Sequence, residues 1–162
     1  CQVRDPGNAG TVLRASYAAG ADVVILTSSS FDIYNPKAVR STAGSLFHLP
    51  VVLGADIAEV AAACRARGIG ILAADGNGDV NLDTLQDENA ARRIAGPGVE
   101  SLFALENPTA WLFGNEAQGL AEEELTLADH RVAVPVYGGA ESLNLGTAAT
   151  VCLYASARSQ KA

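Results

Sequence analysis

The sequence predicts an α/β domain with a mostly parallel sheet, and two patterns along the chain indicate it. Short apolar runs rich in β-branched residues alternate with longer segments that have the apolar spacing of helices. The first three helical segments start at Asn or Asp and end at Gly, as helices with capped ends do. The chain has 162 residues, of which 49% are apolar and 18% charged, which suits one ordinary globular domain.

The first helix and the first strand show how each element is recognised. Asn8 is predicted to cap a helix over about 9–19, and Gly20 to end it in the left-handed conformation. The continuous apolar run "DVVILT" at 22–27 then predicts a buried strand. The stretch from 80 to 100 is too weakly patterned to predict an element.

The other elements are predicted from the same signals. They are a helix with Asn35 as cap, Pro36 at its first position and Gly44 as terminator, a strand at 49–54, a helix over 56–68 with Asp56 as cap, a strand at 69–75, a turn at 76–79, a strand at 110–114, a short acidic helix at 121–125, a strand at 131–136 and a closing helix over about 143–157.

Charge and cysteine content argue against several classes of protein. The net charge of −7 argues against a self-sufficient nucleic-acid binder, which usually has an excess of basic residues. The three cysteines form no C-x-x-C pair, so we expect no disulfide framework and no zinc site, and a cytoplasmic location. No apolar run reaches the length of a membrane span, and no signal peptide is recognised.

Several short motifs match a known site only in part. "GIGILA" at 68–73 has the glycine spacing of a dinucleotide site, but its glycines end a helix and precede a strand, which reverses the required order. "DGNGD" at 75–79 resembles the start of a calcium loop, but the sixth and twelfth positions hold Val80 and Gln86, so a tight turn is predicted. His48 and His130 have no partner motif and are interpreted as surface or packing residues.

Three segments combine glycine and polar residues within otherwise apolar stretches. They are "NAGTVLR" at 8–14, "LFGNEAQGL" at 112–120 and "VPVYGGAESLNLG" at 134–146. The second and third segments follow predicted strands, where ligands bind in parallel sheets. Each polar residue alone has a structural explanation: Asn8 or Ser142 as a helix cap, Arg14 as a surface residue, and Glu116 as a charge at the positive end of the next helix.

Taken together and in this order, the three segments resemble the three motifs of the SpoU (TrmH-like) RNA ribose 2′-O-methyltransferases, of the SPOUT class. "NAGTVLR" is similar to the family's N-x-G-x-x-x-R motif, "LFGNEAQGL" to its G-x-E-x-x-G motif, and "SLN" at 142–144 to its third motif. Ala9 departs from the larger apolar residue that is common there. The resemblance covers nearly the whole chain.

The resemblance implies a fold, a cofactor and an assembly. Residues 1–162 would form one knotted α/β catalytic domain with a C-terminal trefoil knot, and an N-terminal RNA-recognition portion would precede it. S-adenosylmethionine would bind at Gly114, Val134, Leu143 and Asn144, largely through backbone groups. The enzyme would be a homodimer with its active site near the subunit interface, without a metal.

The resemblance also implies catalytic roles for Arg14, Asn8, Glu116, Ser142 and Asn144. Arg14 would organise the ribose 2′-hydroxyl and its phosphate, because a guanidinium keeps its proton at neutral pH and is a poor base. The other four would orient Arg14 or the ribose. Glu141 has no role beyond a favourable charge at the start of the last helix.

Three functions follow from these observations. The first is S-adenosylmethionine-dependent 2′-O-methylation of RNA, with ribosomal RNA favoured and transfer RNA second. The second is a non-catalytic dimeric module that binds S-adenosylmethionine or RNA. The third is a nucleotide-binding oxidoreductase, against which the reversed order around "GIGILA" argues.

Overall fold

The computed structural model describes residues 5–27, 32–96, 101–115 and 117–161. Helices and strands alternate through these ranges, which confirms the α/β class. The helices are α1 (Pro6–Ala19), α2 (Pro36–Ser41), α3 (Ile57–Ala66), α4 (Leu82–Ala95), α5 (Glu122–Leu125) and α6 (Leu145–Lys161). The strands are β1 (Val24–Thr27), β2 (Val51–Ala55), β3 (Gly70–Ala74), β4 (Val80–Asn81), β5 (Thr109–Leu112) and β6 (His130–Ala133). A 3-10 turn covers Ser45–Phe47.

The described strands form two sheets, in which every neighbouring pair is parallel. β1 pairs with β2, and the larger sheet has the order β4-β6-β3-β5. Because parallel strands end at the same edge of a sheet, the loops after β3, β5 and β6 meet there. The trefoil knot stays a prediction. None of the helices in the described ranges combines the length and apolar character that crossing a bilayer requires.

The first helix starts earlier than the sequence predicts. Asp5, not Asn8, is the N-cap: its carboxylate accepts hydrogen bonds from the backbone N–H groups of Gly7 and Asn8, and Pro6 occupies the first helical position. Asn8 therefore lies inside the first turn. The predicted terminator is confirmed, since Gly20 has φ 74° and donates its N–H to carbonyls of the last turn.

The structure also differs from the predictions in three other places. The unassigned stretch from 80 holds β4 and α4, with Asn81 as the cap that accepts the Asp83 N–H at 2.8 Å. Helix α2 ends at Ser41, and Gly44 precedes the 3-10 turn instead of ending the helix. The closing helix α6 begins at Leu145 and continues to Lys161, beyond the predicted end at 157.

The core consists of two clusters that meet at α1. The larger one packs the β4-β6-β3-β5 sheet against α4 and α6 and includes Val12, Leu72 and Cys152. The smaller one packs β1 against the segment around the 3-10 turn and includes Leu13 and Leu26. Val12 and Leu13 are adjacent in α1 but pack into different clusters. Helix α1 therefore lies between the two clusters, beside α6.

A bidentate ion pair fastens α4 to the segment before β5. The Arg92 Nε and Nη2 atoms donate to the two carboxylate oxygens of Glu106 at 2.8 and 2.9 Å. The side chains are 12% and 31% exposed. The hydrogen bond from Arg92 lowers the pKa of the Glu106 carboxyl to about 2, against the opposing effect of burial.

Because of the Arg92–Glu106 ion pair, we expect the free energy of unfolding to depend on pH. Because the pKa of Glu106 is lower in the folded than in the unfolded chain, its stabilisation is complete above about pH 5 and is lost towards about pH 2. We expect Glu106→Gln to lower the free energy of unfolding by about 2 kcal/mol at pH 7 and by less at pH 3. Urea unfolding at both pH values measures this, with the exposed Glu59→Gln as control. Equal losses at the two pH values would contradict the prediction.

Candidate functional site

A cleft of about 550 Å³ opens at the carboxyl ends of β3, β5 and β6. Its size is within the range of small-molecule sites. The walls are residues that follow these strands and the start of α6. They include Ala74 at the end of β3 with Asp75 and Gly76 after it, Phe113, Gly114, Asn115 and Gly119 after β5, Val132 and Ala133 at the end of β6 with Val134, Pro135 and Val136 after it, and Glu141, Ser142, Leu143, Asn144, Leu145 and Ala148 before and within α6.

The wall after β5 is a closely packed glycine loop. The backbones of Asn115 and Gly119 exchange hydrogen bonds of 3.1 and 2.9 Å, and Gly119 has φ +68°. The Asn115 side chain accepts from the next N–H groups of the loop, at 3.0 Å from Ala117 and 2.8 Å from Gln118. A Cβ atom on Gly114 would lie 2.0 Å from the carbonyl carbon of Gly119. Only glycine at position 114 lets the two backbone segments approach this closely.

The wall after β3 is fixed by an ion pair that the sequence did not predict. The Asp75 carboxylate accepts from Arg131 Nε at 2.9 Å and Nη2 at 2.7 Å, which joins the neighbouring strands β3 and β6. The hydrogen bond to Asp75 raises the pKa of the Arg131 guanidinium. The predicted turn is confirmed, since Gly78 donates its N–H to the Asp75 carbonyl at 2.9 Å. The position of Asp75 directly after a strand was the available signal.

The third wall contains the start of α6, where Asn144 is the helix cap. Its Oδ1 accepts the Gly146 N–H at 2.9 Å, and its carbonyl accepts the Ala148 N–H at 2.9 Å. Asn144, not Ser142, therefore satisfies the first free N–H groups of the helix. Ser142 is exposed and Leu143 half-buried on the approach to it. All four residues predicted to hold the cofactor line this one cleft, together with Ser142.

Asn8 and Arg14 lie on α1, and neither lines the cleft. Helix α1 packs against the start of α6, where a Cβ atom on Gly146 would lie 2.7 Å from the Thr11 methyl group. Arg14 is exposed one turn beyond Thr11. Within the described parts of the chain its guanidinium has no ion-pair partner, whereas Asn8 is half-buried and has an interaction. The structure thus does not bring Arg14 into the cleft of its own chain. Glu116 lies outside the described residues.

The chemistry that the cleft offers is that of a binding site. Two ionisable side chains line it within the described ranges, Asp75 and Glu141, and both are acidic. The remaining walls are apolar side chains, small polar groups and backbone. Such a lining suits a small ligand with an apolar body and positive charge, held in part by backbone hydrogen bonds. In the described part of the chain no cluster of three or more His, Cys, Asp or Glu side chains has the spacing of a metal site.

The chain is similar to one protein family and to individual curated proteins. The model of the SpoU rRNA Methylase family matches residues 1–154. The 23S rRNA (uridine(2479)-2′-O)-methyltransferase of Streptomyces viridochromogenes is 37% identical over 158 residues, which cover 94% of this chain and 49% of that protein. The 23S rRNA (guanosine(2553)-2′-O)-methyltransferase RlmP of Bacillus subtilis (strain 168) is 36% identical over 152 residues, or 94% of this chain and 54% of that protein.

A solved structure matches the fold at similar identity. It is the SpoU methyltransferase AviRb from Streptomyces viridochromogenes in complex with the cofactor AdoMet, at 35% identity and a TM-score of 0.79. The match covers 97% of this chain and 57% of that one. The chain therefore spans about half the length of the curated relatives that it matches.

Proposed function

The chain belongs to the SpoU rRNA methylase family, and from this premise we propose that the protein methylates a ribose 2′-oxygen in ribosomal RNA. The observation that carries the proposal is the cleft, which gathers the second and third sequence motifs at one edge of the sheet. The relatives whose names give ribosomal RNA 2′-O-methylation support the substrate class. We further propose that the protein acts in the cytoplasm.

The residues present fit S-adenosylmethionine as the cofactor. When bound, this cofactor supplies a methyl group on a positively charged sulfur. The backbones of Gly114, Val134 and Leu143, which line the cleft, would hold it there. The carboxylate of Glu141 would favour a ligand with net positive charge, whereas the charge of Asp75 is offset by Arg131.

The chain's own residues would then position the ribose. Methyl transfer needs an in-line approach of the 2′-oxygen, so orientation is the main task. Arg14 would bind the phosphate next to the ribose and stabilise negative charge on the 2′-oxygen, since guanidinium matches phosphate geometry. Asn8, Glu116 and Ser142 would orient Arg14 or the ribose.

We also propose a homodimer whose interface includes α6. Val151 and Tyr154 lie one turn apart on this helix and remain 38% and 50% exposed. Since α6 starts at the cleft, an interface along it would place the second subunit near the reacting ribose. Arg14, which does not line the cleft of its own chain, would then act at the edge of the interface.

The proposal predicts that Asn144 does more than cap α6. Asp caps helices as well as Asn does, but its carboxylate lacks the N–H donors of the amide. We expect Asn144→Asp to keep the wild-type free energy of unfolding and to lower methyl transfer by about tenfold or more, as a lost donor to a reacting group does. Thermal melting and an initial-rate assay measure the two effects.

The matched variant for this test is Asn144→Ala. It removes both the cap and the amide, so we expect a loss of about 1 kcal/mol of stability together with the loss of activity. If Asn144→Asp methylates RNA at the wild-type rate, the side chain of Asn144 is a cap alone.

A methyl-transfer assay tests the proposed function. The protein would be incubated with S-adenosylmethionine carrying a tritiated methyl group, and with either ribosomal RNA or transfer RNA that lacks modifications. We expect label in ribosomal RNA. Greater labelling of transfer RNA would change the substrate class, and cofactor binding without transfer to either RNA would indicate a non-catalytic module.

A further inference from the structure

The loop that connects β6 to α6, residues 134–144, covers one side of the cleft. Its two ends line the cleft, at Val134, Pro135 and Val136 and again from Glu141 to Asn144. The tip between them does not line it, and a Cβ atom on Gly138 or Gly139 would meet no other atom within 4 Å. The loop is therefore anchored by β6 at one end and by the Asn144 cap at the other, with an open tip.

One side-chain contact holds the middle of this loop. The Tyr137 hydroxyl donates to the carboxylate of Asp83, which lies in the first turn of α4. Within the described residues, it is the one side-chain hydrogen bond from residues 134–143 to another element. Tyr137 is 82% exposed as a residue, so its side chain is restrained by the hydrogen bond to Asp83 more than by packing.

Strand pairing explains why these two groups meet. β4 pairs with β6, with Val80 opposite Val132 and Asn81 opposite Ala133. Helix α4 and the loop thus leave neighbouring strands at the same level. The hydrogen bond to Asp83 raises the pKa of the Tyr137 phenol.

We propose that the Tyr137–Asp83 hydrogen bond positions the loop 134–144 against the cleft, which makes Tyr137 and Asp83 positioning residues for cofactor binding. The inference rests on the proposed function, because it takes S-adenosylmethionine as the ligand. Without the contact, the loop is tied at its ends alone, and Leu143 and Ser142 sample positions that do not face the ligand. Ordering the loop when S-adenosylmethionine binds then costs free energy, which lowers the affinity.

Calorimetric titration with S-adenosylmethionine tests the proposal on the wild type and four variants. We expect Tyr137→Phe, which removes only the hydroxyl, to raise the Kd by about fivefold, in keeping with one solvent-exposed hydrogen bond to a charged group. Asp83→Ala should raise it similarly, and the double variant no more than the larger single effect. Tyr34→Phe, which alters another exposed tyrosine, should bind as the wild type does.

Hydrogen exchange without ligand gives a second readout. We expect the amides of residues 138–142 to exchange faster in Tyr137→Phe than in the wild type. Wild-type binding and wild-type exchange in Tyr137→Phe, or additive effects in the double variant, would overturn the proposal. If the wild type does not bind S-adenosylmethionine, the proposed function fails, and the exchange comparison still decides whether the contact holds the loop.

Discussion

Replacing Arg14 by alanine is expected to lower the rate of methyl transfer by about 10²–10³-fold, the usual cost of losing a charged group that stabilises a developing oxyanion. The affinity for S-adenosylmethionine is expected to stay unchanged, because Arg14 does not line the cleft. A rapid-quench assay with saturating cofactor and RNA measures the rate, and calorimetry the affinity. Arg14→Lys should be intermediate, since a lysine keeps the charge but loses the planar fork.

The matched control for Arg14 is Arg93→Ala. Arg93 is an exposed arginine in the last turn of α4 and lies outside the cleft. If loss of any surface arginine reduces activity through weaker RNA attraction, both variants will be affected alike and the effect will shrink at high salt. A wild-type rate for Arg14→Ala would show that Arg14 has no part in the reaction.

Replacing Gly114 by alanine is expected to disrupt the proposed cofactor site. The new methyl group would lie 2.0 Å from the Gly119 carbonyl carbon and 2.3 Å from the Leu120 nitrogen. Both contacts are backbone atoms, so the loop must shift and the paired hydrogen bonds between Asn115 and Gly119 must lengthen. We expect a loss of about 1–3 kcal/mol in the free energy of unfolding. The Kd for S-adenosylmethionine should rise by about 30-fold, as when two backbone hydrogen bonds are lost.

Gly139→Ala is the matched control for this substitution. Gly139 belongs to another loop of the cleft, but a Cβ atom there would have nothing within 4 Å and its φ is not in the left-handed region. Melting temperature and cofactor affinity should both stay near the wild-type values. If Gly114→Ala behaves like Gly139→Ala, the close approach of the two backbones has no part in binding.

The elements that the sequence predicts well are those with local signals. Strand β1 is a β-branched run, and α3 has Asp56 as a cap that accepts two N–H groups, as predicted. Helix α4 was missed because it is mostly polar and buries only Leu82, Leu85 and Asn89. Strand β4 is two residues long and exists only because β6 pairs with it. Neither local propensity nor periodicity carries that information.

For the candidate site, the sequence predicted several of the residues that line the cleft but not the contacts between distant segments. The family resemblance selected Gly114, Val134, Leu143 and Asn144, and the structure places all four around one cleft. Spacing along the chain could not show that Asp75 pairs with Arg131, because that contact depends on the order of the strands. The same limit applies to Arg14, because spacing along the chain cannot show how the two chains of the proposed homodimer would place it near the ribose.

The position of the transferred methyl group tests directly whether the protein methylates a ribose 2′-oxygen. Ribosomal RNA would be methylated by the protein with labelled S-adenosylmethionine and then digested with alkali, which cleaves only where a 2′-hydroxyl is free. The proposal predicts label in an alkali-resistant dinucleotide, and about 10²–10³-fold slower labelling with Arg14→Ala. Label recovered on a base in a mononucleotide would contradict it.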